Sequence, residues 1–307
     1  MGLFLSLTLY LAILVARHDR VAVAEHCPKP DCDPQNWRFF PYTEGVPWPG
    51  WLDGQMSRRD ALGVLSGWAL AGTGVMSLGD VPVAAVGPVG FRSIRLVAPD
   101  LERMQEFYGS LLGLPVRMEK AALVVTAGST ELSFAKGEGA PKYHFAFNIP
   151  ENRIEQARDW VKKRTPITLA GGREIVHFES WNAHATYFFD PAGNIVEFIA
   201  RHTLSNASKG AFSQKQVLYA SELGLVVEDV PSVVTAVGKS LGLKPYKGTS
   251  PGFTAVGDEH ALLIVVQKGR LWFGSKDLPA AAFEASASVA GTPGGSWTAG
   301  GYSVRVG

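Results

Sequence analysis

The 307-residue chain carries 29 Lys and Arg against 28 Asp and Glu, a formal net charge of +1. That length suits about two domains, and the balanced charge gives no basis for nucleic acid or an anionic membrane surface as partner. Its two cysteines, Cys27 and Cys32, sit near the N-terminus in "CPKPDC", which excludes a catalytic thiol from the main body. A zinc site would need further ligands and a small-loop disulfide an oxidising compartment; the plainest reading gives the pair no role.

Residues 2–16 are apolar but short for a bilayer span. No basic residues precede them, and a small-residue site, Ala22-Val23-Ala24, follows. Residues 56–85 follow a different plan. Arg58 and Arg59 precede a long uncharged run that ends at Val83-Ala84-Ala85, as in a twin-arginine export signal, although Ala61 stands where such signals often carry Phe. Met56 lies directly before this segment. Residues 1–55 therefore read as an extension upstream of the real start. Started at Met56, the protein is expected in the periplasm, with only transient passage through the membrane. Otherwise it is cytoplasmic or membrane-anchored, with residues 61–79 as a buried or anchoring helix.

From about residue 90 the pattern is β-α-β-β-β, repeated. "FRSIRLVAPD" alternates, and Leu101, Met104, Phe107, Tyr108, Leu111 and Leu112 then recur at helical spacing up to the stop at Gly113. Three short strands follow. "KYHFAFNIP" opens a second unit, whose helix carries Ile154, Ala157, Trp160 and Val161 on one stripe. Its last strands, "HATYFFD" and "NIVEFIAR", flank "DPAGN", where Pro191 fixes φ and Gly193 is free to take positive φ. A third unit begins at "SELGLVVEDV" and ends at "ALLIVVQ". Such a repeat of about fifty residues is a fold-level signal.

The segments "DLERMQEFYGSLLGLPV", "YHFAFNI" and "YFFDPAGNIVEFIAR" resemble the vicinal oxygen chelate superfamily, which includes glyoxalase I, extradiol dioxygenases and the fosfomycin and bleomycin resistance proteins. The resemblance implies an α+β fold in which repeated βαβββ modules form a cupped mixed sheet with helices outside. It implies a complete two-module domain at 91–202 and an additional half-domain at 218–270. The Ala-, Ser- and Gly-rich residues 271–307 read as a low-complexity tail, in which "YSVRV" is one last edge strand. The resemblance also implies a divalent ion (Fe, Mn, Ni or Zn) in the cup, with His144 and Glu197 at ligand positions. His184, in "NAHATYFFD" on the neighbouring strand, reads as a third ligand or pocket residue. Ser93 stands where family members usually carry His, and Glu131 lies near another acidic position.

Each residue also has a plainer role. His144 would be a hydrogen-bonded strand residue, Glu197 a buried acid paired with Arg201 or Arg95, and His184 a packing residue near Trp181. His177 and His260 read as non-ligands. Glu222, at the first-strand position of the third module, reads as a solvated strand end. That module leaves a sheet edge uncovered, which a second copy would close in a two-fold dimer. Three functions follow: a metal-dependent dioxygenase or lyase acting on a small oxygen-bearing substrate, a metal-free small-molecule binding protein of the bleomycin-resistance type, or a structural repeat.

Overall fold

The computed structural model describes residues 90–291 and 294–307, plus the backbone of a two-residue antiparallel pair, Arg20–Val21 with Phe40–Pro41. The export-like segment 56–85 and the two cysteines lie outside the described residues. Among the described residues no helix is long and apolar enough to cross a membrane.

Alternation along the sequence sets the strands, and capping sets the helices. The first module runs β1 (Phe91–Ala98), α1 (Leu101–Gln105, continuing as a π-helical turn over Glu106–Leu111), β2 (Val116–Glu119), β3 (Ala122–Ala127) and β4 (Thr130–Lys136). The second runs β5 (His144–Ile149), α2 (Ile154–Lys162), β6 (Ile167–Thr168), β7 (Val176–Phe178), β8 (Ala183–Phe189) and β9 (Ile195–Arg201). The third has β10 (Tyr219–Val227), α3 (Val230–Leu241), β11 (Phe253–Asp258) and β12 (Ala261–Gln267). Helix α3 starts where the Asp229 carboxylate accepts the Ser232 N–H, and stops at Gly242 in the left-handed region. A fourth, helix-free unit follows: β13 (Ala285–Val289), β14 (Gly295–Ala299) and β15 (Tyr302–Val306).

These strands form two mixed sheets. The eight-stranded sheet has the order β11-β12-β10-β5-β9-β8-β6, with β7 also on β8. The seven-stranded sheet has the order β14-β15-β13-β1-β4-β3-β2. This is the expected α+β arrangement of repeated βαβββ units, with one correction to the expected pairing. Modules one and two do not share a sheet. β5 pairs antiparallel with β10 of module three, and β1 pairs antiparallel with β13 of the tail. The β10 edge of the third module is therefore covered within the chain, and β11 stands at the outer edge of the sheet.

The tail is likewise more than low-complexity sequence. Ala285, Ala287, Val289, Trp297, Tyr302, Val304 and Val306 all enter the main core. Each strand of the eight-stranded sheet sends alternate side chains to opposite faces. Phe145, Phe147 and Ile149 of β5 enter the main core beside the stripe of α2, whereas Ala146 faces a smaller apolar cluster in the cup.

Candidate metal centre

His144, Glu197 and Glu222 meet on the cup face, their donor atoms all within 4.8 Å of one another. His144 Nε2 lies 3.5 Å from Glu197 Oε2 and 3.6 Å from Glu222 Oε2. The register explains the convergence. Glu197 sits beside Ala146, two residues along β5 from His144. Between Ala220 and Glu222 the ladder of β10 slips against β5. That bulge sends Ala220 into the main core and re-aims Glu222 into the cup.

The expected His144 and Glu197 are thus brought together, and Glu222 joins them. It is 3% exposed, not a solvated strand end. His184 is not in the group. It alternates with Tyr187 on β8 and faces the other side of the sheet, against His177 and His202. Ser93 and Glu131 pair with each other in the seven-stranded sheet, and Glu131 is exposed and bonded to Arg117. They belong to a different sheet from the site, so Ser93 is not its missing ligand. Arg201 pairs with Glu222 rather than with Glu197, at 2.5 Å. Arg95, the other partner considered for Glu197, is on β1 in the other sheet.

The surroundings fix the cluster's chemistry. His144 Nδ1 lies 3.2 Å from the Ile195 carbonyl. A proton there leaves the Nε2 lone pair facing both carboxylates, the tautomer a metal ligand needs. Arg201 is fully buried, and its Nε donates to Asn148 Oδ1 at 3.2 Å. Asn148 Nδ2 donates in turn to the Tyr219 hydroxyl and the Glu259 carbonyl. Burial, and then the charge of Glu222, hold the Glu197 carboxyl well above the usual range. Burial and the Glu197 charge do the same for the Tyr187 phenol. Of the two buried carboxyl groups, only Glu222 is paired with the guanidinium. An imidazole nitrogen with two carboxylate oxygens suits Fe, Mn, Ni or Zn. Their spacing is close to the roughly 3 Å between neighbouring ligands at bonds of about 2.1 Å.

Above the cluster is a cleft of ≈ 220 Å³, lined mainly by apolar and aromatic side chains. Phe178, Trp181 and Tyr187 form one wall, and Phe253, Ile264 and Val266 another. A strap after β12 also lines the cleft, held by Trp272 N–H donating to the Leu278 carbonyl and Ala280 N–H to the Arg270 carbonyl. It lays Trp272 5.4 Å from the His144 ring. Gly224 makes room for it, since a Cβ there would stand 2.7 Å from Trp272 Cη2. Ile264 sits beside Gly224 as Glu197 sits beside Ala146, so the counterpart of the Glu197 position is apolar.

No protein-family model matches the chain, and no curated protein sequence matches it. Solved structures align with parts of the chain. A candidate dioxygenase from Bacillus subtilis is 13% identical over 71% of this chain and 84% of its own, with a TM-score of 0.49. Glyoxalase I from Zea mays is 16% identical over 71% and 91%, with a TM-score of 0.44. A glyoxalase/dioxygenase from Nostoc punctiforme is 17% identical over 43% and 99%, with a TM-score of 0.29. At these identities and TM-scores the likeness assigns no activity to this chain.

The sequence singled out His144 and Glu197, which the fold brings together, but did not place Glu222, Tyr187 and Trp272 beside them. The signal for Glu222 was its first-strand position in "SELGLVV". The bulge that turns it inward leaves no mark in the alternation.

Proposed function

We propose that this chain is a metal-dependent enzyme of the glyoxalase/dioxygenase type. It would hold one divalent ion through His144, Glu197 and Glu222, with a small oxygen-bearing substrate in the aromatic cleft above them. The observation that carries this reading is Glu197. It is 2% exposed, and among the described residues no Lys or Arg lies within ion-pair distance of it. As an anion without a paired cation it would be costly to bury, more so beside Glu222, which is why the metal-free carboxyl is held toward its protonated form. A divalent ion would supply the missing charge, and when bound it would act as a Lewis acid on the substrate's oxygens.

The chain's own residues would do the rest. His144 is oriented by the Ile195 carbonyl, and Glu222 by Arg201. Tyr187 keeps its phenolic proton and can donate it to a hydrogen bond. The apolar Ile264 leaves its side of the centre to substrate, and Trp272 in the strap limits water.

Elemental analysis after purification without chelator tests the reading. Stoichiometric metal is expected, lost in both His144→Ala and Glu197→Ala. If reconstitution with Fe, Mn, Ni and Zn each leaves the chain without tightly bound metal, the proposal fails. The apolar lining and the Arg201–Glu222 pair would then favour a metal-free binding protein of the bleomycin-resistance type, which a thermal-shift ligand screen would detect.

A further inference from the structure

We infer that His177, His184 and His202 form a second cation site, suited to a borderline divalent ion such as Zn(II), Ni(II) or Cu(II), on the opposite face of the eight-stranded sheet. This inference is independent of the proposed function of the cup.

Three of the five histidines among the described residues gather here. His177 and His184 stand directly across from each other on β7 and β8, their rings stacked at 4.4 Å and 9°. His202 follows β9, and its Nε2 lies 2.7 Å from His184 Nδ1. The three rings open onto a surface cavity of ≈ 530 Å³ shared with Glu151, Glu155 and Arg173. No carboxylate among the described residues is within ion-pair distance of any of the rings.

Imidazole nitrogens are good donors to ions of this class. Two nitrogens at hydrogen-bond distance require at least one neutral ring. Burial, then the charges of His177 and His202, lower the pKa of His184, so it stands as a neutral ligand at neutral pH. An ion replacing the shared proton would widen the pair by only a few tenths of an ångström, given metal–nitrogen bonds of about 2.0–2.1 Å. His177 joins by rotation of its ring out of the stack. The donors are less closely gathered than those in the cup, so this site is the weaker of the two.

Its occupancy would matter to the cleft. The ion would tie together β7, β8 and the end of β9. Phe178 and Trp181, next along from His177, line the cleft, and Arg201 precedes His202. A cation on this face would therefore stiffen a wall of the binding site.

The test uses the full chain, stripped of metal and titrated calorimetrically with Ni(II). Wild type is expected to show two classes of site. The weaker class should be absent from His184→Asn/His202→Asn and retained in Glu197→Gln. Equal binding by wild type and the double variant would overturn the inference. If the cup binds no metal, wild type shows the weak class alone, and Glu197→Gln keeps it, so the two ideas fail separately. Cu(II) electron paramagnetic resonance on Glu197→Gln avoids any folding defect of the double variant. Hyperfine coupling to more than one imidazole nitrogen is expected, and a signal with no nitrogen coupling would refute the site.

Discussion

Glu222 has two partners, and they predict different losses. Its Oε1 accepts from Arg201, and its Oε2 faces His144. Replacing it with Leu leaves Arg201 buried without a counter-charge, a loss of about 3–5 kcal/mol. Urea unfolding of the metal-free protein should show that drop, and Arg201→Met in the same chain should restore part of it. No restoration would mean that the Arg201 charge is not the cause. Gly224 makes a second residue-scale test. Gly224→Ala puts a methyl group where Trp272 Cη2 stands, so the strap must move. A changed Trp emission and a stability cost of about 1–3 kcal/mol are expected. His144 and Glu197 were legible because each lies on a strand whose pattern is unbroken. Glu222 was not, because its orientation depends on a bulge against a strand more than seventy residues away.

At the scale of elements, the β7–β8 hairpin and the end of β9 couple stability to pH. His184 has a folded pKa below its ordinary 6.5. The unfolded chain therefore binds more protons than the folded one in the window below pH 6.5. Stability is full above that pH and is lost as pH falls through the folded value. His177, His202, Glu155, Glu151 and Arg173 surround it, and of these the two histidines oppose its protonation. Thermal melts of metal-free protein should fall between pH 7 and 5, and His184→Gln should flatten that fall. An unchanged slope in the variant would assign the pH dependence to other groups. The "DPAGN" turn shows how much of an element can be read directly. Gly193 takes φ 82°, as the sequence requires. What the sequence hides is that the Asp190 carboxylate also accepts from Tyr108 of the first module, while Asn194 accepts from Tyr143. That turn therefore holds two modules together as well as reversing the chain.

At the scale of the molecule, the three helix-bearing modules were legible, whereas the fourth unit and the pairing of the modules were not. Every module offers a similar first strand, so alternation alone cannot say which edge meets which. The tail escaped notice because its inward positions in "ASASV" are mostly Ala, which gives a weak apolar signal although all three inward residues are buried. A chain ending at residue 284 would remove seven side chains from the core. At roughly 1.5–3 kcal/mol for each of the larger ones, that loss rivals the whole stability of a domain, about 5–15 kcal/mol. Circular dichroism of this truncation should show no cooperative transition. The fragment 91–202 should fare no better, since it leaves β5 without β10 and β1 without β13. A sharp transition in either would mean that the sheets close without their distant strands.

The pairing is nested, and nesting imposes a timetable on synthesis. The strands of the eight-stranded sheet all lie between His144 and Gln267, whereas the seven-stranded sheet must join Phe91 to Val289. As the chain leaves the ribosome, the strands of the cup are all available while β1, made first, still waits for its neighbour. An edge left open that long invites pairing with the wrong chain. Arg92 and Arg95, exposed on that strand, are the kind of charge that discourages it. The last twenty or so residues, plain in composition, thus finish what the first strand begins, and a ribosome that stalls before them releases a completed cup attached to an unfinished sheet.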